Sequence, residues 1–265
     1  MASKIEQSSP SVEIHNRQAN GPVVILCEHA SHHIPEPYHD LGLNPAHRCS
    51  HAAWDPGART VAVKLSEMLH APLVASRISR LVYDCNRPPE AASAMPQRVE
   101  IIDVPGNHKL TAAQRSARVE AFYRPFCDAV TSVLVEREAH DIPTVLITIH
   151  SFTPNFHGRA RAVEIGILHD ADQRMADAML AHSQLLPHRR IQRNVPYGPE
   201  DGVTHSLKLH GIDNGLANVM IEIRNDLLAT REGEDTLARE LSQLILPALV
   251  TLGFEPSPRE GKPDA

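Results

Sequence analysis

Apolar, β-branched runs in this chain end repeatedly in residues that bind metal or move protons. Residues 23–27 (VVILC) run into Glu28-His29, residues 81–83 (LVY) into Asp84-Cys85-Asn86-Arg87, residues 144–149 (TVLITI) into His150-Ser151, and residues 218–221 (NVMI) into Glu222-Ile223-Arg224. A catalytic zinc site needs three ligands from His, Asp or Glu and one open position. His29 and His150 are the leading ligand candidates. Asp55 is favoured as the third because it stands at a helix start, from which a short loop could return it to the same rim; His32, His33 and His51 compete for the place. Glu222 closes a hydrophobic strand, where an unpaired carboxylate is costly. As a general acid/base it would take a proton from a metal-activated water and pass it to a leaving amine. Arg224 leaves the same face, because side chains alternate along a strand; the structural alternative is a plain Glu222–Arg224 ion pair. Arg80, Arg87 and Arg161 are candidates for a bidentate clamp on a substrate carboxylate.

The elements that must position these residues alternate between strand and helix. Residues 23–27 read as a buried parallel strand bounded by Gly21-Pro22, and residues 72–75, 81–83, 144–149, 162–168 and 218–223 as further strands. Asp55 opens a helix with Pro56 in its first turn and an apolar stripe from Ala58 to Leu69. A capping box at Thr111 to Gln114 leads a long helix to about His140, residues 170–184 are helical, and residues 233–252 form a last amphipathic helix. The long Pro, Ala and Ser-rich loop 87–109 is placed to cover a site. Alternating strands and helices predict a three-layer α/β/α sandwich on a mainly parallel or mixed sheet. Ligands of such sheets bind beyond the carboxyl ends of the strands, which is where the candidates gather. The polar residues 1–21 and the Pro-rich residues 255–265 read as flexible ends around a domain spanning 22–254.

Composition removes several classes. The 265 residues, 42% hydrophobic and 22% charged, describe an ordinary globular protein. No apolar run approaches the ~20 residues of a membrane span. Residues 1–20 lack the apolar core and cleavage site of an export signal, and the four cysteines are scattered without a C-x-x-C pair, so a cytoplasmic protein with reduced thiols is expected. A net charge of -6 argues against a nucleic-acid surface. Of the 17 histidines, His39, His47, His70, His140, His182 and His188 lie in polar stretches and read as solvated. Ser151 beside His150 lacks a G-x-S-x-G elbow, and no phosphate-binding glycine loop is present.

Cys27-Glu-His-Ala-Ser31, His51-Ala-Ala-Trp-Asp-Pro-Gly-Ala58, Ser79-Arg-Leu-Val-Tyr-Asp-Cys-Asn-Arg-Pro88, His150-Ser-Phe-Thr-Pro154, Asn194-Val-Pro-Tyr197 and Glu222-Ile-Arg-Asn-Asp-Leu227 resemble, in order, the motifs of the N-formylglutamate amidohydrolase family. With Glu-His-Ala-Ser at the first motif, the chain resembles the broader branch of that family. The resemblance implies the sheet of zinc exopeptidases and a zinc-dependent amidohydrolase that cleaves a small N-acyl amino acid such as N-formylglutamate. It implies His29, Asp55 and His150 as the metal site and Glu222 as the acid/base. It also places Arg80, Asn86, Arg87 and Arg224 in the substrate pocket, and His210 as a residue lining the site, able to stabilise an oxyanion. The competing reading from another class is a protein that binds a metal or a small carboxylate on the same fold without catalysis.

Overall fold

The apolar runs assemble into one seven-stranded sheet. In the computed structural model, which describes residues 11–255, the strands are β1 (Val12–His15), β2 (Val23–Cys27), β3 (Leu73–Ser76), β4 (Val145–Phe152), β5 (Ile165–Leu168), β6 (Ile191–Arg193) and β7 (Asn218–Arg224). They lie in the order β1-β3-β2-β4-β7-β5-β6. Strands β3, β2, β4 and β7 are parallel. At one edge β1 is antiparallel to β3, and at the other β5 and β6 run together, antiparallel to β7. The sheet is mixed and mainly parallel, as the alternation of elements predicts.

Alternate residues of the central strands feed two cores. Ile25, Ile147 and Ile221 pack against α1 (Ala58–Met68), α4 (Arg174–Ala181) and α5 (Arg231–Thr251) through residues such as Leu65, Met179 and Leu241. On the opposite face Leu26, Val74 and Leu146 meet Phe126 and Val130 of α3 (Arg124–Ala139) and side chains of the long connections, among them Leu81, Tyr83 and Met95. Each of these fully buried side chains contributes about 1.5–3 kcal/mol relative to exposure, and helices on both faces produce the three layers. The chain passes from β2 to β3 on one side and then crosses back to β4 on the other. The carboxyl ends of β2 and β4 therefore flank the reversal point at which open α/β sheets bind ligands.

Several expectations are corrected. Residues 81–83 form a turn rather than a strand: the amides of Val82 and Tyr83 donate to the Ser79 carbonyl and that of Leu81 to the Ser79 hydroxyl. Leu81, Val82 and Tyr83 are apolar because they plug the second core. Residues 12–15, read as part of a flexible end, form β1, whose Val12 and Ile14 are buried. The expectations for residues 1–10 and 256–265 lie outside the described residues. The capping box at Thr111 is present and opens α2 (Ala112–Arg118). The long helix it leads is interrupted by a π-turn at Val119–Tyr123 just before Pro125, whose missing N–H cannot join an α-helical ladder. Strand β5 begins only at Ile165, and α4 occupies only the middle of 170–184.

Edge strand β1 is held by charge as well as by pairing. Glu13 is buried, accepts a 2.6 Å hydrogen bond from Arg59 and lies 3.1 Å from His15. Burial works to raise its pKa, but the hydrogen bonds and charges of His15 and Arg59 outweigh burial and bring it to about 2. A carboxyl depressed in the folded state contributes stability above its unfolded pKa and loses that contribution as pH falls through the folded value. Glu13→Gln should therefore destabilise the protein by about 1–2 kcal/mol at pH 7, a figure reduced because Arg59 is partly exposed, and by much less at pH 2. Urea midpoints at the two pH values check this, and equal losses at both would refute it.

Candidate metal centre and substrate cavity

Three elements deliver the candidate ligands to the β2/β4 crevice. His29 follows β2, and its carbonyl accepts the Asp55 amide at 3.0 Å, which stitches the start of the α1 segment to the strand end. Asp55 sits two residues ahead of Gly57, whose φ of 80° favours glycine and whose Cβ, if present, would lie 2.4 Å from Leu228. That turn replaces the helix start expected at Asp55 and leaves its carboxylate facing back to the rim. His150 lies in β4 on the face opposite Ile149, and Ser151 points the other way, donating to the Pro56 carbonyl at 2.8 Å.

The ligand atoms converge. Asp55 Oδ2 lies 3.2 Å from His29 Nδ1 and 2.9 Å from His150 Nδ1, and the two Nδ1 atoms are 3.2 Å apart. All three side chains are buried, and they could hold a metal ion. Among the described residues neither His32, whose ring lies tilted against Trp54, nor His51, which pairs with Glu100 at 2.8 Å, nor His33 joins this group.

Each imidazole turns Nδ1 inward and its other nitrogen toward a carboxylate, through a hydrogen bond for His29 and an ion-pair contact for His150. His29 Nε2 lies 2.7 Å from Asp84 Oδ1, and His150 Nε2 lies 3.2 Å from Glu28 Oε2. Such outer carboxylates fix the tautomer and the ring orientation of metal-ligating histidines. Arg80 bridges Asp84 at 3.0 Å and Asp55 at 3.4 Å. The charge count fits a divalent cation: Glu28, Asp55 and Asp84 against one arginine leave two negative charges when the imidazoles are neutral and Glu222 is protonated. Without a cation the carboxylates draw protons instead. Burial and Arg80 work to lower the His29 pKa, but Asp84 and Asp55 raise it, and Glu28 and Asp55 raise His150 well above its usual value against burial. Burial would raise Asp55 and Asp84, yet His29, with His150 for Asp55 and Arg80 for Asp84, holds both below the usual carboxylate range.

Glu222 differs from the hydrogen-bonded Asp55 and Asp84. It lies in β7 in register with His150, so the two side chains leave the same face. It is buried, and its Oε2 has no hydrogen-bond partner among the described residues. Burial pushes its pKa up to about 7, with Asp55 adding to the rise and His150, His29 and Arg80 opposing it. The alternative Glu222–Arg224 pair does not form: Arg224 bonds Asp226 at 2.8 Å and the Arg161 carbonyl at 3.2 Å.

A cavity of about 300 Å³ opens on Asp55, Asp84 and Arg80, and Arg87, Arg98 and Tyr197 also line it. The 87–109 loop supplies one wall through Ser93, Pro96, Arg98, Val99 and Glu100, as its length suggests. Phe152 and Phe156 line the opposite wall. Arg161 is not a lining residue; its guanidinium stacks on Phe152, Phe156 and Tyr197 and donates to the Tyr197 hydroxyl at 3.1 Å, so it braces that wall. Asn86 does not line the cavity either; it donates to the Val203 carbonyl at 2.6 Å and accepts from the Ser206 amide at 2.9 Å. Tyr197 reaches the cavity because Gly166 lets the chain carrying it approach: a Cβ there would lie 2.1 Å from the Val195 carbonyl oxygen. His210, on the π-turn Leu207–Gly211, lines a different cavity. Sequence reasoning gave no role to Glu28, Asp84, Arg98 or Tyr197. The first two carried a signal, as carboxylates that follow apolar runs and need a partner.

A family model described as N-formylglutamate amidohydrolase matches residues 21–229. The chain belongs to that family. This membership supports amidohydrolase activity, and the matched span includes His29, Asp55, His150 and Glu222. Among solved structures, the gene product Atu2144 from Agrobacterium tumefaciens is 54% identical, with a TM-score of 0.91 over 92% of this chain and 97% of that one. The N-formylglutamate amidohydrolase from Ralstonia eutropha JMP134 is 19% identical, with a TM-score of 0.57 over 89% of this chain and 94% of that one, a likeness of fold. No match was found among curated proteins. Within the described residues no helix is long and apolar enough to cross a membrane.

Proposed function

We propose that the protein is a zinc-dependent amidohydrolase that cleaves the amide bond of a small N-acyl amino acid, with N-formylglutamate as the first candidate. The observation that carries this reading is the convergence of His29 Nδ1, His150 Nδ1 and Asp55 Oδ2 beside the unpartnered carboxylate of Glu222. Two imidazoles and a carboxylate form a donor set that suits zinc and leaves a coordination position open. Zinc held there would polarise the amide carbonyl and lower the pKa of a water molecule. Glu222 accepts a proton at its free Oε2 as water adds to the amide carbon. It then gives that proton to the amide nitrogen as the C–N bond breaks, so the products are the short acid and the free amino acid. Arg80 orients Asp55 and Asp84, while Arg87 and Arg98 supply the positive charge that binds an anionic substrate. Arg161 and Arg224 act at one remove, the first by stiffening the aromatic wall and the second by anchoring the Arg161 backbone. The four free cysteines suit a cytoplasmic enzyme.

The test is amino-acid release from a panel of N-formyl and N-acetyl amino acids, acidic ones first, with and without chelator, on one preparation of measured metal content. Chelator-sensitive release supports the reading; bound metal with no turnover on the whole panel would favour the non-catalytic binding protein. Arg87→Met should raise KM about 10–100-fold with a smaller change in kcat, the size of one charged hydrogen bond lost in both ground and transition states. An unchanged KM would remove Arg87 from the substrate clamp.

A further inference from the structure

A second cavity shares no lining residue with the arginine-lined one. It measures about 620 Å³ and is formed by α3, the connection that follows it and the segment carrying His210. Its volume is that of a small-molecule site. Leu134, Ile142, Leu209 and Leu216 give it apolar walls, and Val135 is 55% exposed beside them. Glu138, Asp141 and Asp213 also line it, and no lysine or arginine does. Their carboxylates make no ion pair among the described residues.

His210 is the second and independent observation. It is 4% exposed, lines this cavity, and its imidazole makes no hydrogen bond to the protein among the described residues. With no protein partner and a place in the cavity lining, the imidazole is open to a hydrogen bond from a group inside the cavity. Burial lowers its pKa to about 4, so near neutral pH one ring nitrogen is an acceptor. The arrangement calls for a ligand with N–H donors, positive charge and a hydrocarbon body.

We propose that this cavity binds an aliphatic polyamine, its methylene chain on the leucine walls and its ammonium groups among Asp213, Asp141, Glu138 and His210. The inference does not depend on the catalytic reading. Isothermal titration of the full chain with 1,6-diaminohexane at low salt tests it, with 1,6-hexanediol and hexanedioate as controls of equal length. Saturable diamine binding is expected, at least about ten-fold tighter than either control. The pair Asp141→Asn and Asp213→Asn, at exposed positions that should leave the fold intact, should weaken binding about five-fold or more, and raised salt should do the same. His210→Gln should weaken the diamine while leaving its preference over the diol. No saturable binding, equal binding of the diol, or affinity unmoved by the double substitution would each overturn the proposal.

Discussion

Glu222→Gln should lower amide hydrolysis by about 10²–10⁴-fold while the protein keeps its fold and its affinity for metal, because the loss is that of a general acid/base. Gln preserves the shape of the side chain but cannot take up or release the proton. The carboxylate is suited to the role by burial without a hydrogen-bond partner on Oε2, which pushes its pKa up to about 7 and makes proton uptake and release both accessible near neutrality. The same shift has a stability consequence in the metal-free protein. A carboxyl raised in the folded state contributes stability below its unfolded pKa and loses it as pH rises through the folded value. In excess chelator, Glu222→Gln should therefore gain melting temperature relative to the wild type at pH 8 and gain little at pH 5. Activity near the wild-type level would remove Glu222 from the chemistry. Equal shifts in melting temperature at both pH values would show that it is not raised.

The strand ends were legible because period and hydrophobicity fix them. Once residues 23–27, 144–149 and 218–223 read as buried strands of a parallel sheet, His29, His150 and Glu222 had to meet at the carboxyl rim, and the register of Glu222 with His150 follows. Asp55 was legible as a residue but not as a geometry, since its return depends on the left-handed Gly57 and the bond to the His29 carbonyl. The short apolar run at Leu81 was ambiguous because burial in a turn and burial in a strand select the same side chains. Residues 12–15 carried a strand signal in the alternation of Val12 and Ile14, overshadowed by polar neighbours. What a sequence does not specify is which long side chains touch across the fold. Arg161 finds its partners in the cavity wall, Arg224 and Asn86 find theirs among residues that do not line it, and His210 is turned by a π-helical segment toward another cavity.

Asp84→Asn and Glu28→Gln should each weaken metal binding by about 10–100-fold, the range found for outer partners of metal-ligating histidines. Each substitution removes one of the negative charges that a divalent cation balances. Each also replaces an acceptor-only carboxylate with an amide that can turn its NH₂ toward the ring, so the imidazole is no longer obliged to keep its proton on Nε2 and its lone pair on Nδ1. The two variants separate charge from side effects. Asp84 also accepts from Arg80 and from the Asn86 amide, so its loss frees Arg80 and disturbs the cavity wall. Glu28 is fully buried, and the charged group nearest it is His150, which pulls its pKa down against burial. Glu28→Gln should therefore show its effect mainly in metal affinity, measured by competition with a chromophoric chelator, with KM little changed once the site is saturated with zinc. Asp84→Asn should change both. Metal affinity unmoved in both variants would mean that the outer carboxylates do not set the donor atoms, and that the inward Nδ1 geometry is fixed by packing of the rings alone.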